Sequence, residues 1–233
     1  MKNNSIITLV LFTFILLFTN CSKELIPDFV IGQEDGDVNI STLTPPVDIT
    51  VSGYDIFEFN LDVDQDGTDD FLFHGYIGVS SGGTASNGWT ISCINNSFQF
   101  KTEEITHTFS ECKDDETNVI TYYSDKYNYE CPGREKNSNR RETIWSPSSH
   151  NYGDQIEADC TWTSESTVLA AYNNYGASDY SSINYDVTGI WPDVEDKYLV
   201  IRKSSAGINL YGWIKLSIDE TKSIRVMEFA LQQ

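Results

Sequence analysis

From about residue 47 onward the chain is written in short runs of Val, Ile, Tyr, Phe, Trp and Thr, separated by clusters of Gly, Asn, Asp and Ser. β-Branched and aromatic side chains crowd a helical turn but fit a pleated surface, and the clusters between them supply turns. The clearest runs are 54–61, 71–79, 89–94, 97–101, 105–109, 198–203, 208–218 and 223–231. No long 3.6-residue apolar period follows the first twenty residues, which leaves strands as the building material. In 208–218 the side chains alternate, Leu210, Gly212, Ile214, Leu216 and Ile218 against Tyr211, Trp213, Lys215 and Ser217, with residues 204–207 as the turn before them. The expected fold is all-β: a single antiparallel β-sandwich domain, jelly-roll-like, over residues 47–233.

What precedes that domain is of another kind. Lys2, an apolar run over residues 6–18 and Cys21 have the layout of a secretory signal peptide of residues 1–20. The run is too short for a spanning helix, which needs about 20 apolar residues. The segment resembles the lipobox of bacterial lipoproteins, in the looser form of Bacteroidota, with Phe18, Thr19 and Asn20 before the cysteine. That resemblance implies export, cleavage before Cys21, and anchoring to the outer membrane through acyl chains on Cys21. Ser22, Lys23 and Glu24 resemble the short charged segment that marks such lipoproteins for the cell surface.

Charge narrows the partners. Loss of the leader takes the formal net charge from -20 to -21, Lys2 being its one charged residue. Binding to phosphate backbones rests on Lys and Arg clusters, so a nucleic-acid partner is excluded. The same excess repels anionic lipid and leaves the acyl chains as the only membrane link.

With Cys21 acylated, Cys93, Cys112, Cys131 and Cys160 remain, an even number in an oxidising compartment. Two disulfides are expected, and sequence leaves three pairings open. Cys112 and Cys131 bracket a hairpin-like stretch, which favours Cys112 with Cys131 and Cys93 with Cys160. Zinc is a poor alternative, because there is no CxxC pair and His74, His107 and His150 are widely spaced. Residues 21–46 are acidic and closed by Pro45 and Pro46, and read as a flexible tether, in which 29–31 are suited to a short edge strand. Residues 113–152, rich in Asn, Ser, Lys and Arg, read as a polar surface insertion.

One segment carries specific chemistry. Residues 62–70 place Asp62, Asp64, Asp66 and Asp70 at loop positions one, three, five and nine, Gly67 at six and the Thr68 carbonyl at seven. Those are calcium-loop positions, in which alternate side chains turn to one centre and hard oxygens neutralise the ion. Phe73 stands where an EF-hand carries its bidentate Glu, and neither flank is helical, so the loop is not an EF-hand. It resembles the strand-flanked D-x-D-x-D-G-x-x-D loops of β-rich extracellular proteins, which implies a structural calcium ion, with an acidic hairpin turn without metal as the competing expectation.

Three landmarks in order resemble a group of exported β-sandwich lipoproteins of Bacteroidota. They are the acidic segment 62–71, the step Gly153-Asp154-Gln155-Ile156 followed by Trp162, and the terminal strands with Lys197-Tyr198 and Tyr211-Gly212-Trp213. Val200, and residues 228–231 in place of the group's closing motif, depart from the pattern. The resemblance implies a fold and a location but no activity. Gly212 between two aromatic residues marks close backbone approach in a strand.

Enzyme signatures are missing: there is no G-x-S-x-G elbow, HExxH, P-loop or dinucleotide fingerprint. Glu103 or Glu104 with Asp193 or Glu195 would be the carboxylates of a polysaccharide-acting hydrolase, although charged residues are ordinarily solvated surface groups. A non-catalytic protein binding an extracellular glycan or protein is favoured by five tryptophans and thirteen tyrosines, whose flat faces stack on sugars and fill interfaces. Tyr122, Tyr123, Tyr127, Tyr129 and Trp145, within the polar insertion, are the candidate platform. A structural envelope component, its aromatic residues consumed by the core, is the competing expectation.

Overall fold

The computed structural model describes residues 25–34, 38–52, 56–79, 85–113, 120–124, 136–157, 160–176, 182–219 and 221–233. Those residues form fifteen strands and no helix. In chain order they are β1 (Leu25–Val30), β2 (Val38–Thr50), β3 (Ile56–Leu61), β4 (Phe71–Val79), β5 (Ala85–Cys93), β6 (Phe98–Lys113), β7 (Ile120–Ser124) and β8 (Lys136–Pro147). There follow β9 (Gln155–Glu157), β10 (Thr161–Thr163), β11 (Thr167–Gly176), β12 (Ser182–Thr188), β13 (Val194–Ser205), β14 (Ile208–Asp219) and β15 (Ser223–Gln232).

Thirteen strands share one ladder in the order β2-β15-β14-β13-β6-β7-β12-β11-β5-β4-β3, with β8 and β10 also on β6. Among the described pairs only β7 with β12 is parallel. The ladder folds over on itself: β3, β4, β5 and β11 face β6, β13, β14 and β15 across a core that includes Phe71, Trp89, Ile91, Phe98, Ile201 and Ile214. Phe71 of β4 meets Phe98 of β6 edge-on at 5.4 Å between ring centroids, joining the halves. This is the expected β-sandwich. Its order rests on two meanders, β3-β4-β5 and β13-β14-β15, and the jelly-roll arrangement is not recovered.

A second layer of packing explains the apolar run in β13. Leu199 and Ile201 point into the sandwich core, whereas Tyr198 and Val200 point the other way, into a cluster with Trp213, Ala230, Ile26, Phe29 and Ile156. That cluster is covered by a two-stranded sheet of β1 and β9. β13, β14 and β15 are therefore buried on both faces, and a strand buried on both faces loses its polar alternation. Fully burying each large side chain contributes roughly 1.5–3 kcal/mol, so this middle layer is the anchor of the fold. Gly212 of β14 is required there: a Cβ would sit 2.2 Å from the Ala230 carbonyl oxygen. The β13–β14 turn is made by Ala206 and Gly207, both at positive φ, as a two-residue hairpin turn demands.

Three expectations need correction. Residues 25–31 and 38–46 are not a tether: Ile26, Phe29, Ile31 and Val38 are buried, and β2 pairs along β15. The ladder shifts register between Val226 and Glu228, opposite Val47 and Thr42, so Pro45 and Pro46 fall in an irregularity of an edge strand that needs no N–H from them. Residues 136–147 are not a surface insertion, because β8 pairs with β6 from Thr102↔Pro147 to Cys112↔Lys136. The Cys93–Cys160 disulfide is not formed. Cys93 packs on the sandwich core and Cys160 on the cluster beneath β1 and β9, on opposite faces of the middle layer. The leader, Cys21 and Cys131 lie outside the described residues, as does the side chain of Cys112.

Candidate metal centre

The acidic loop joins β3 to β4 at one end of the sandwich. Its conformation follows from local chemistry: Gln65 and Gly67 take φ of 58° and 88°, and aspartate oxygens cap the N–H groups those turns expose. Gly67 N–H donates to Asp62 Oδ2 at 2.8 Å, and Asp66 N–H to Asp64 Oδ1 at 3.2 Å. The result brings carboxylate oxygens of Asp62, Asp64 and Asp70 within 4.8 Å of one another. Asp62 Oδ1 is buried with no hydrogen-bond partner. Hard oxygens at this spacing suit a calcium ion, which takes six to eight such ligands at about 2.3–2.6 Å.

Asp70 is the rigid member. It is fully buried, its Oδ2 accepts Val63 N–H at 2.9 Å, and its Oδ1 accepts Asn95 Nδ2–H at 3.0 Å. Its own carbonyl takes Ile94 N–H at 2.7 Å, which stitches the loop to the β5–β6 turn. Burial pushes the Asp70 carboxyl above the ordinary carboxylate range, against the pull of the Val63 and Asn95 bonds. Asp66 is not one of the three converging carboxylates; its Oδ1 accepts Thr68 N–H at 2.8 Å, a bond that does not involve the Thr68 carbonyl, the expected ligand atom. Asp69 is held outward by Asn60 Nδ2 at 2.9 Å.

A residue with no local sequence signal completes the site. Lys203, near the end of β13, donates from Nζ to Asp64 Oδ2. That bond, with the field of Asp64, Asp70 and Asp66, raises the Lys203 pKa despite partial burial. Among the described residues the cluster thus carries three carboxylates against one ammonium. Asn95 comes from the β5–β6 turn and Lys203 from β13, both far from the loop in sequence.

The other candidates are dispersed. Trp145 stands on β8 opposite Glu104, 52% exposed. Tyr122 and Tyr123 lie on β7, whose side chains are outside the described residues, as are Tyr127 and Tyr129 altogether. Trp89, Trp191 and Trp213 are fully buried. Glu103, Glu104, Asp193 and Glu195 are all exposed.

A second polar group lies between β6 and β13. His150 Nε2 is 3.0 Å from Ser148 Oγ and 3.2 Å from Lys101 Nζ, with Asp154 at 3.9 Å from Nδ1. Burial, then the Lys101 ammonium, lowers the His150 pKa to about 4, against the pull of Asp154. Ser148 is fully buried and donates to the Lys101 carbonyl at 3.3 Å, so the trio is a satisfied structural knot with no reachable nucleophile.

No family model, curated protein or solved structure matches the chain.

Proposed function

We infer that this is an exported, lipid-anchored, non-catalytic β-sandwich protein whose acidic loop holds a structural calcium ion, and which binds an extracellular glycan or protein. The observation that carries the reading is the convergence of Asp62, Asp64 and Asp70, with one buried carboxylate oxygen left unpartnered. A divalent ion there would use that oxygen, offset the repulsion that Lys203 offsets only in part, and lock the β3–β4 connection to the β5–β6 turn. Export supplies the calcium-rich surroundings that such a loop requires, and the Cys21 anchor supplies attachment.

A second reading, an envelope component with no small ligand, is favoured by the burial of Trp89, Trp191 and Trp213, which removes most of the indole supply from the surface. The calcium reading is checked by melting the mature protein in excess chelator and again with calcium restored. Binding to the native state alone raises the midpoint by mass action, and several degrees are expected. Superimposable melts would leave the loop an acidic turn neutralised by Lys203.

A further inference from the structure

Next to the acidic loop lies an open cleft of about 460 Å³, bounded by the loop, the first residues of β2, and the adjoining ends of β13, β14 and β15. Its volume falls within the roughly 300–1,000 Å³ typical of small-molecule sites. Two kinds of surface meet in it. Ile40 and Leu210, both half-buried, give an apolar floor, and Asn39, Ser41, Gln65 and Gln232 bring amides and a hydroxyl to the same space.

The polar groups are held in place. Gln65 sits at φ 58°, a left-handed backbone that a residue with a side chain adopts at a cost, and its Nε2 donates to Ser41 Oγ, bridging the loop to β2. This leaves the Gln65 carboxamide oxygen as an acceptor and the Ser41 hydroxyl proton as a donor. The Gln232 carboxamide oxygen accepts Tyr211 N–H at 2.8 Å, which turns its NH₂ to a fixed side. The charges are Glu34 and Asp64 against Lys203, whose ammonium already serves Asp64. An anionic ligand would meet net repulsion here.

The geometry points to a binding site for a short neutral saccharide in this cleft. A sugar ring matches both surfaces: its C–H face lies on Ile40 and Leu210, while its hydroxyls pair with neutral amide and hydroxyl groups that both donate and accept. The assignment rests on the reading of the chain as a binding protein, and places the ligand beside the acidic loop rather than at Trp145 or the β7 tyrosines.

The test is ¹⁵N–¹H NMR of the mature protein, whose Asn and Gln side-chain amides report on the cleft and whose indole N–H reports on Trp145. The probes are cellobiose, lactose, mannobiose, xylobiose and diacetylchitobiose, each at about 10 mM, well above a weak Kd of about 1 mM. At least one is expected to shift the side-chain amides of Asn39, Gln65 and Gln232, and Leu210→Arg, which fills the floor, is expected to abolish the shift while the backbone amide spectrum stays that of the folded chain. Gln65→Ala is the second variant, expected to weaken binding at least threefold. Digalacturonate, carrying carboxylates, is expected to bind at least tenfold more weakly than the best neutral probe; equal binding would overturn the neutral assignment. Shifts confined to the Trp145 indole would overturn the cleft and keep a glycan-binding protein. The absence of any shift with every probe would overturn both.

Discussion

The two polar groups of this molecule solve opposite electrostatic problems. At the acidic loop, Asp62, Asp64 and Asp70 crowd together with one ammonium among the described residues, Lys203, and one buried oxygen unmatched. At the His150 knot, a neutral imidazole lies 3.2 Å from the Lys101 ammonium, and proton uptake is what the surroundings oppose. The loop is short of positive charge, and the knot cannot accept more of it. A cation should therefore stabilise the first, and acid should damage the second.

The largest expected contrast concerns the thiol beside the loop. Burial, then the Asp70 carboxylate, raises the Cys93 pKa to about 12. Since the thiolate is the nucleophile, alkylation of Cys93 in the folded protein near pH 8 is expected to run roughly a thousandfold slower than for an ordinary thiol. Mass spectrometry after a timed iodoacetamide pulse reads this directly. Cys93 should alkylate once the chain is denatured without reductant. A blocked Cys93 under those conditions would restore the disulfide.

Next comes the loop's buried carboxylate. Asp70→Ala strands Val63 N–H and Asn95 Nδ2 and is expected to destabilise by about 3 kcal/mol, read by urea unfolding. Asp66→Ala, which loses one local turn bond, should cost about 0.5–1 kcal/mol. Equal losses would mean that Asp70 is not the pivot of the loop.

The knot is probed by acid. The His150 pKa is about 4 when folded against 6.5 for an ordinary imidazole, so between these values the unfolded chain binds the extra proton. Stability is then lost as pH falls from about 6.5 toward 4 and loses no more to this group below that. At about 1.4 kcal/mol per pH unit the loss approaches about 3.5 kcal/mol, and about 2 is expected after partial solvent screening. His150→Gln should remove that slope, measured as the wild-type minus variant difference in unfolding free energy across the window. A pH-independent difference would refute the assignment.

The smallest effect sharpens the loop's side of the contrast. Lys203→Met without calcium should cost about 1 kcal/mol, because Asp64 loses its partly exposed counter-charge. With calcium the loss should shrink or reverse, since ion and ammonium seek the same oxygen.

How much of this was legible depended on sequence distance. Residues 71–79 read as a strand because Phe71, Phe73 and Gly75 alternate with half-buried neighbours, and β4 has those limits. β2 was missed because Pro45, Pro46 and an acidic context look like a linker, and only pairing with β15 shows that an edge strand tolerates them. β8 was missed because its polar residues carry no core signal; among its described side chains the buried ones are Ser146 and Pro147, at its end. Asp62, Asp64 and Asp70 were readable since one turn sets their spacing. Asn95 lies 25 residues from Asp70, and Lys203 lies 139 residues from Asp64; such partners are supplied by topology alone.

The central claim is that the loop's surplus of carboxylate is a cation site. Titration calorimetry of calcium into the chelator-treated mature protein tests it most directly. The account expects one ion per chain, lost in Asp62→Asn and retained in His150→Gln. No saturable heat in the wild type, or undiminished binding in Asp62→Asn, would contradict it.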